Sequence, residues 1–207
     1  MKTNLLKAAV LSALAAAPML ANAESAFTTG TTTPITAAAH LDFQITIPKI
    51  LFLQVGTGTA MAANAGINQI AFSVPAANVG DGSVISATAG SGDLGNGVVT
   101  ARVIGNNGTV TFTSQTVGAL GNGSGDTISY GQIATAAAAN TSAVVLAHPT
   151  LADAATTTVT LTPASGKVLN RDAKWTYTYT NAAVVPPGTY GGTNTNNSRV
   201  TYTASMP

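Results

Sequence analysis

Apolar side chains fall at every second position in one stretch of this chain after another. The densest stretch is residues 40–55, HLDFQITIPKILFLQV. Leu41, Phe43, Ile45 and Ile47 alternate with His40, Asp42, Gln44 and Thr46. A period of two marks a strand with one buried face. Pro48 interrupts the alternation, as proline does at strand ends. Ile50, Leu51, Phe52, Leu53 and Val55 then follow almost without a polar break. An unbroken apolar run fits a strand buried on both faces. The pattern predicts two consecutive strands here, forming the spine of the fold.

Further strands are predicted where the same period recurs. Residues 68–74 place Ile70, Phe72 and Val74 on one side, and Pro75 ends the run. Residues 98–104 (VVTARVI) and 109–114 (TVTFTS) flank Asn106-Asn107-Gly108. Asn-Gly between alternating runs is the strongest short signal for a β-hairpin, because both central residues of a type I′ turn need positive φ. Residues 126–133 read as a short strand. The alanine run 134–140 reads as one or two helical turns, since alanine is the best helix former. Residues 156–162 carry Val159 and Leu161 on one face, and residues 199–205 align Val200, Tyr202 and Ala204. The clearest alternation is residues 174–180 (KWTYTYT), with Trp175, Tyr177 and Tyr179 opposite a threonine row. Together these give about eight to ten short strands with turn signals between them. The expectation is an all-β, antiparallel sandwich or barrel. No amphipathic helix lies between strands, so alternating βαβ folds are excluded.

The N-terminus reads as an export signal. Lys2 and Lys7 start it, residues 8–17 are an apolar run of about ten residues, and Pro18 breaks that run before Ala21-Asn22-Ala23, an A-x-A cleavage site. A membrane-spanning helix needs roughly 20 apolar residues, so no membrane insertion of the mature chain is expected. The expected organisation is a signal peptide at 1–23, an extended leader at 24–39 and one domain at 40–207. The place of action is the periplasm, the cell surface or the medium.

Cleavage changes the charge picture. Lys2 and Lys7 are two of the eight basic residues, so six remain against seven acidic ones. A near-neutral chain with so few charges has no electrostatic footprint for nucleic acid. There is no cysteine, which removes thiolate metal sites and thiol nucleophiles.

Candidate chemistry is sparse. His40 sits beside Asp42, and His148 precedes Pro149. There is no Gly-x-Ser-x-Gly elbow, and the only glutamate after the signal is Glu24, so paired carboxylates for glycoside hydrolysis are poorly supplied. No catalytic residue or cofactor is expected. The glycine-flanked acids Asp81, Asp93 and Asp126 resemble Ca²⁺-binding turns, but Asp and Gly are also ordinary turn residues. Trp175, Tyr177 and Tyr179 admit two readings. They are either core aromatics or a sugar-stacking platform. The leader admits a third role. Phe27, Thr29, Thr31, Thr33 and Ile35 fall at a period of two, so the segment can be donated as an extra strand to a neighbour, with Phe27 and Ile35 as its anchors.

The signal, the leader, the stretch LDFQITIP and the closing Gly188-Thr189-Tyr190 followed by VTYT (200–203) together resemble bacterial pilin-like β-sandwiches, including spore-coat-U-like and related fimbrial-type domains. The likeness covers the two ends of the chain after the signal. It implies an immunoglobulin-like sandwich whose subunits join by donor-strand exchange, with a periplasmic chaperone and an outer-membrane usher as partners. This chain departs from that pattern in lacking a cysteine pair and in having a Thr-rich leader. The expectation is an exported structural or adhesive surface subunit that self-associates or joins other surface subunits. A secreted carbohydrate-binding module is the alternative.

Overall fold

The computed structural model describes residues 24–207, so the export-signal reading of 1–23 lies outside the described residues. The chain divides into two units between Ile47 and Pro48, later than the expected boundary at residue 40. In the first unit, residues 24–47 carry no strand or helix. Glu24 accepts hydrogen bonds at Oε2 from the His40 backbone N–H (3.0 Å) and pairs with His40 Nδ1 (2.7 Å). The Thr28 hydroxyl donates to Thr36 O (3.2 Å). The leader thus closes loosely on itself.

The second unit is all-β with antiparallel ladders. Its strands are β1 (Leu51–Val55), β2 (Ile85–Ser86), β3 (Val98–Gly105), β4 (Val110–Gln115), β5 (Leu120–Gly121), β6 (Thr127–Ile128), β7 (Ile133–Ala138), β8 (Thr156–Leu161), β9 (Leu169–Tyr179) and β10 (Thr201–Ser205). One sheet runs β1-β3-β9-β2, with β7 also paired to β9; a second runs β10-β4-β8; β5 and β6 form a small ribbon. The only helical pieces among the described residues are two single 3₁₀ turns, Ala76–Asn78 and Tyr130–Gln132.

β9 is the axis of the larger sheet. Its alternation sends Leu169, Ala173, Trp175, Tyr177 and Tyr179 inward. β3 lies beside it with Val99, Ala101 and Val103 buried on the same side. From the smaller sheet, Val110 and Phe112 of β4 and Leu161 of β8 enter the same core. Phe112 stacks on Trp175 at 5.9 Å between ring centres. Aromatic pairs at that spacing contribute beyond the area they bury.

Several expectations fail. Residues 68–74 form no strand, only an isolated bridge from Phe72 to Ala87. Residues 126–133 divide between β6, the 3₁₀ turn Tyr130–Gln132 and the first residue of β7. Residues 40–47 are no strand; only the second half of the expected spine pairs, as β1 on β3. The Asn-Gly hairpin does not form either. β3 and β4 belong to different sheets, and residues 106–109 arch between them. Gly108 alone takes positive φ there (103°), so no type I′ turn exists. The asparagines serve as clamps instead. Asn106 Oδ1 accepts from Ile50 N–H (2.9 Å), and Asn106 Nδ2 donates to Pro48 O (2.7 Å). The alanine run is strand β7 rather than helix. The edge of β9 offers ladder partners to the main-chain groups of β7 that face it, which outweighs a propensity of less than about 1 kcal/mol per residue.

Candidate functional site

Residues 41–47 form the most exposed apolar row of the described chain. Leu41, Phe43, Ile45 and Ile47 are 75, 85, 84 and 77% exposed. Side chains of this type are normally buried, and contiguous exposed apolar surface marks an interaction site. The row lies immediately before Pro48, whose carbonyl Asn106 holds. Phe27 and Ile35, the expected donor anchors, are also exposed at 90 and 47%. They belong to the part of the leader that closes through Thr28 and Thr36, whereas residues 41–47 carry no such closure among the described residues.

Trp175, Tyr177 and Tyr179 are 0, 7 and 5% exposed. Rings closed to solvent offer no stacking face, so the sugar-platform reading of this row is corrected to core. Trp175 Nε1 donates to Leu146 O (2.8 Å), which satisfies the one polar group it carries inside.

A buried polar cluster sits beside that core. His148 Nε2 is 2.6 Å from Tyr202 Oη and 3.1 Å from Tyr177 Oη, and the two hydroxyls are 3.1 Å apart. The imidazole meets Trp175, Tyr177 and Tyr202 edge-on, with its centre 4.6 Å from that of Trp175. Burial among aromatics disfavours the charged ring and pulls its pKa down to about 4. The same burial pushes Tyr177 up to about 12. No carboxylate bonds this histidine in the hydrogen-bond network of the described residues, and the hydroxyls it meets belong to tyrosines. The arrangement gives the core a fixed polar contact between β9 and β10.

Asp172 organises the outer face of β9. It lies opposite Arg102 in the β3–β9 register. Arg102 Nη2 donates to Asp172 Oδ2 (2.9 Å), and the backbone N–H groups of Thr141 and Ser142 donate to Oδ1 (2.9 and 2.8 Å). The Thr141 hydroxyl also donates to Oδ2. Burial raises the carboxyl pKa, but these donors outweigh it and hold the group well below the carboxylate range. It is a structural anchor that ties residues 141–142 to the sheet.

The acidic turns are likewise occupied by their own loops. Asp93 Oδ1 accepts from Thr100 N–H. Asp81 bonds Asn78, Ser83 and Asn181. Asp126 accepts from Asn122 Nδ2. Among the described residues no group of three or more His, Cys, Asp or Glu is placed to hold a metal ion, and no helix is long and apolar enough to cross a membrane. A shallow polar depression is lined by Val117 and residues 194–199.

The row at 41–47 was visible in the sequence, but as core. Alternation reports that one face wants to be covered; it does not say by which chain. The available signal was Pro48, which divides the two apolar runs.

No protein-family model, curated protein or solved structure matches this chain.

Proposed function

We propose that this chain is an exported structural or adhesive surface subunit, an immunoglobulin-like sandwich that self-associates by β-strand addition. The observation that carries this reading is the row Leu41, Phe43, Ile45 and Ile47, placed at strand spacing and left open to solvent. Covering four such side chains is worth roughly 6–12 kcal/mol. Association costs about 4–15 kcal/mol, so main-chain hydrogen bonds to a sheet edge must supply the rest. β-Strand addition supplies them. The near-neutral, Thr-rich surface suits neighbours of the same kind rather than nucleic acid. Cleavage of residues 1–23 would deliver the subunit to the periplasm, where a chaperone would cover the row before assembly.

Light scattering on the purified chain without its first 23 residues tests this. Oligomers that grow with concentration are expected, and F43D/I45D should abolish them. A wild-type chain that stays strictly monomeric at high concentration ends the proposal.

A further inference from the structure

Glycine follows asparagine at three places, Asn96-Gly97, Asn107-Gly108 and Asn122-Gly123. An Asn-Gly pair is the dipeptide best able to react with itself. The glycine nitrogen can attack the asparagine side-chain carbon, because no Cβ stands in the way. The three pairs carry the same chemistry in sequence and meet different surroundings in the fold.

Two of them are locked at the attacking nitrogen. Gly97 is buried; its N–H donates to Ser91 O (2.9 Å) and its carbonyl accepts from Tyr177 N–H (3.0 Å). Gly108 N–H donates to Lys167 O (2.8 Å), and Asn107 Nδ2 donates to Pro207 O (2.7 Å). Gly123 differs. It is exposed, and its N–H has no hydrogen-bond partner among the described residues. The Asn122 side chain, by contrast, is held by its own loop. Oδ1 accepts from the N–H groups of Ser124 (2.8 Å) and Asp126 (3.2 Å), and Nδ2 donates to Asp126 Oδ2 (2.8 Å). Both bonds to Oδ1 draw electron density from Cγ and open it to attack. The turn between β5 and β6 therefore sets a polarised amide carbon next to an unbonded main-chain nitrogen.

We infer that Asn122 is a self-modification site, where Gly123 N closes on Asn122 Cγ and the side-chain nitrogen leaves as ammonia. The new N–Cγ bond completes a five-membered succinimide as the Cγ–Nδ2 bond breaks. The proton lost from Gly123 N passes through solvent to the departing ammonia. Water then adds to either succinimide carbonyl and breaks its bond to nitrogen, leaving aspartate or isoaspartate. The balance is one water in and one ammonia out. Either product puts a carboxylate where Nδ2 had donated to Asp126, so an attraction becomes a repulsion between like charges at close range. Gly121, one residue earlier, ties this ribbon to the loop before β10. Its N–H donates to Asn196 O (3.0 Å), and its carbonyl accepts from Gly191 N–H (2.8 Å). Conversion at Asn122 thus loosens residues 191–196 from the ribbon.

The test incubates the purified full-length chain in heavy-oxygen water at mildly alkaline pH, with and without urea, and reads its peptides by mass spectrometry. In native buffer, label and isoaspartate should appear at Asn122 at least about fivefold faster than at Asn96 or Asn107, the factor set by one net main-chain hydrogen bond. In urea the three sites should convert at one rate. Equal rates in native buffer overturn the site, and the same preference for Asn122 in urea overturns the fold as its cause. N122D, which stands for one product, should quicken hydrogen exchange at Gly121 and Gly191. Adding D126N to it should restore the slow exchange, because the pair then keeps one donor and one carboxylate. Unchanged exchange in N122D overturns the loosening and leaves the chemistry standing. Failure of D126N to restore it overturns charge repulsion as the cause.

Discussion

Two rows of large apolar side chains repeat every second residue in this protein, and they have opposite fates. Trp175, Tyr177 and Tyr179 are shut inside the sheets, whereas Leu41, Phe43, Ile45 and Ile47 stand in solvent. Their sequence patterns are equivalent. What differs is the supply of neighbours. β9 has β3 and then β2 along one edge and β7 along the other, and Phe112 arrives from the second sheet to cover Trp175. Residues 41–47 have no ladder partner among the described residues. An apolar row is therefore a request for cover. The sheet order grants it at β9 within the chain and leaves it open at residues 41–47.

Truncating one member of each row should separate the two fates by the widest margin. Trp175→Ala removes the Phe112 stack and the bond to Leu146 O, and should cost about 3–5 kcal/mol in urea unfolding. Phe43→Ala should leave the monomer within about 0.5 kcal/mol of wild type. Equal losses at the two sites would mean that residues 41–47 are core after all.

Asp172→Ala tests the outer face of the buried row's own strand. It strands Arg102 and frees the Thr141 and Ser142 N–H groups. A loss of about 3 kcal/mol is expected, the scale for breaking a buried ion pair. Hydrogen exchange should quicken at residues 141–142 before the rest of β9 follows.

A smaller effect comes from pH. His148 is held neutral in the fold, with its pKa at about 4 against an ordinary 6.5. Between those values the unfolded chain binds a proton that the folded chain refuses, so stability falls as the solution is acidified through this window. Above pH 6.5 the contribution is fully present. From pH 7 to pH 5 the loss should be about 2 kcal/mol, and His148→Gln should flatten that part of the profile. An unchanged slope in the variant would place the acid sensitivity elsewhere.

The least perturbing probe is Gln44→Thr on the polar face of the exposed row. It should leave monomer stability unchanged within about 0.5 kcal/mol, while leaving oligomer growth intact by light scattering. Loss of oligomers from so mild a change would shift the contact from the apolar face to the polar one.

The hairpin and alanine misreadings share one cause with the row at 41–47. Asn106-Asn107-Gly108 carries strong turn chemistry, yet its strands separate into two sheets because β3 pairs with β9 over its whole length and with β1 over residues 101–105. The turn signal is local, and the choice of partner is not. The alanines of β7 follow the free edge of β9 for the same reason. Strands β8 and β10 were legible almost to their ends and β9 in its second half, where one face could be covered only by a core; the first five residues of β9, Leu169–Ala173, were not.

By itself the sequence determined the all-β character, the alternation of each strand and the near-absence of charge. These follow from side-chain chemistry and the two-residue repeat of extended backbone. Only the tertiary structure decided which apolar rows are covered and that the Asn-Gly arch joins two sheets. Those outcomes depend on strand order, and strand order is set by contacts between residues far apart in the chain, which no local pattern records.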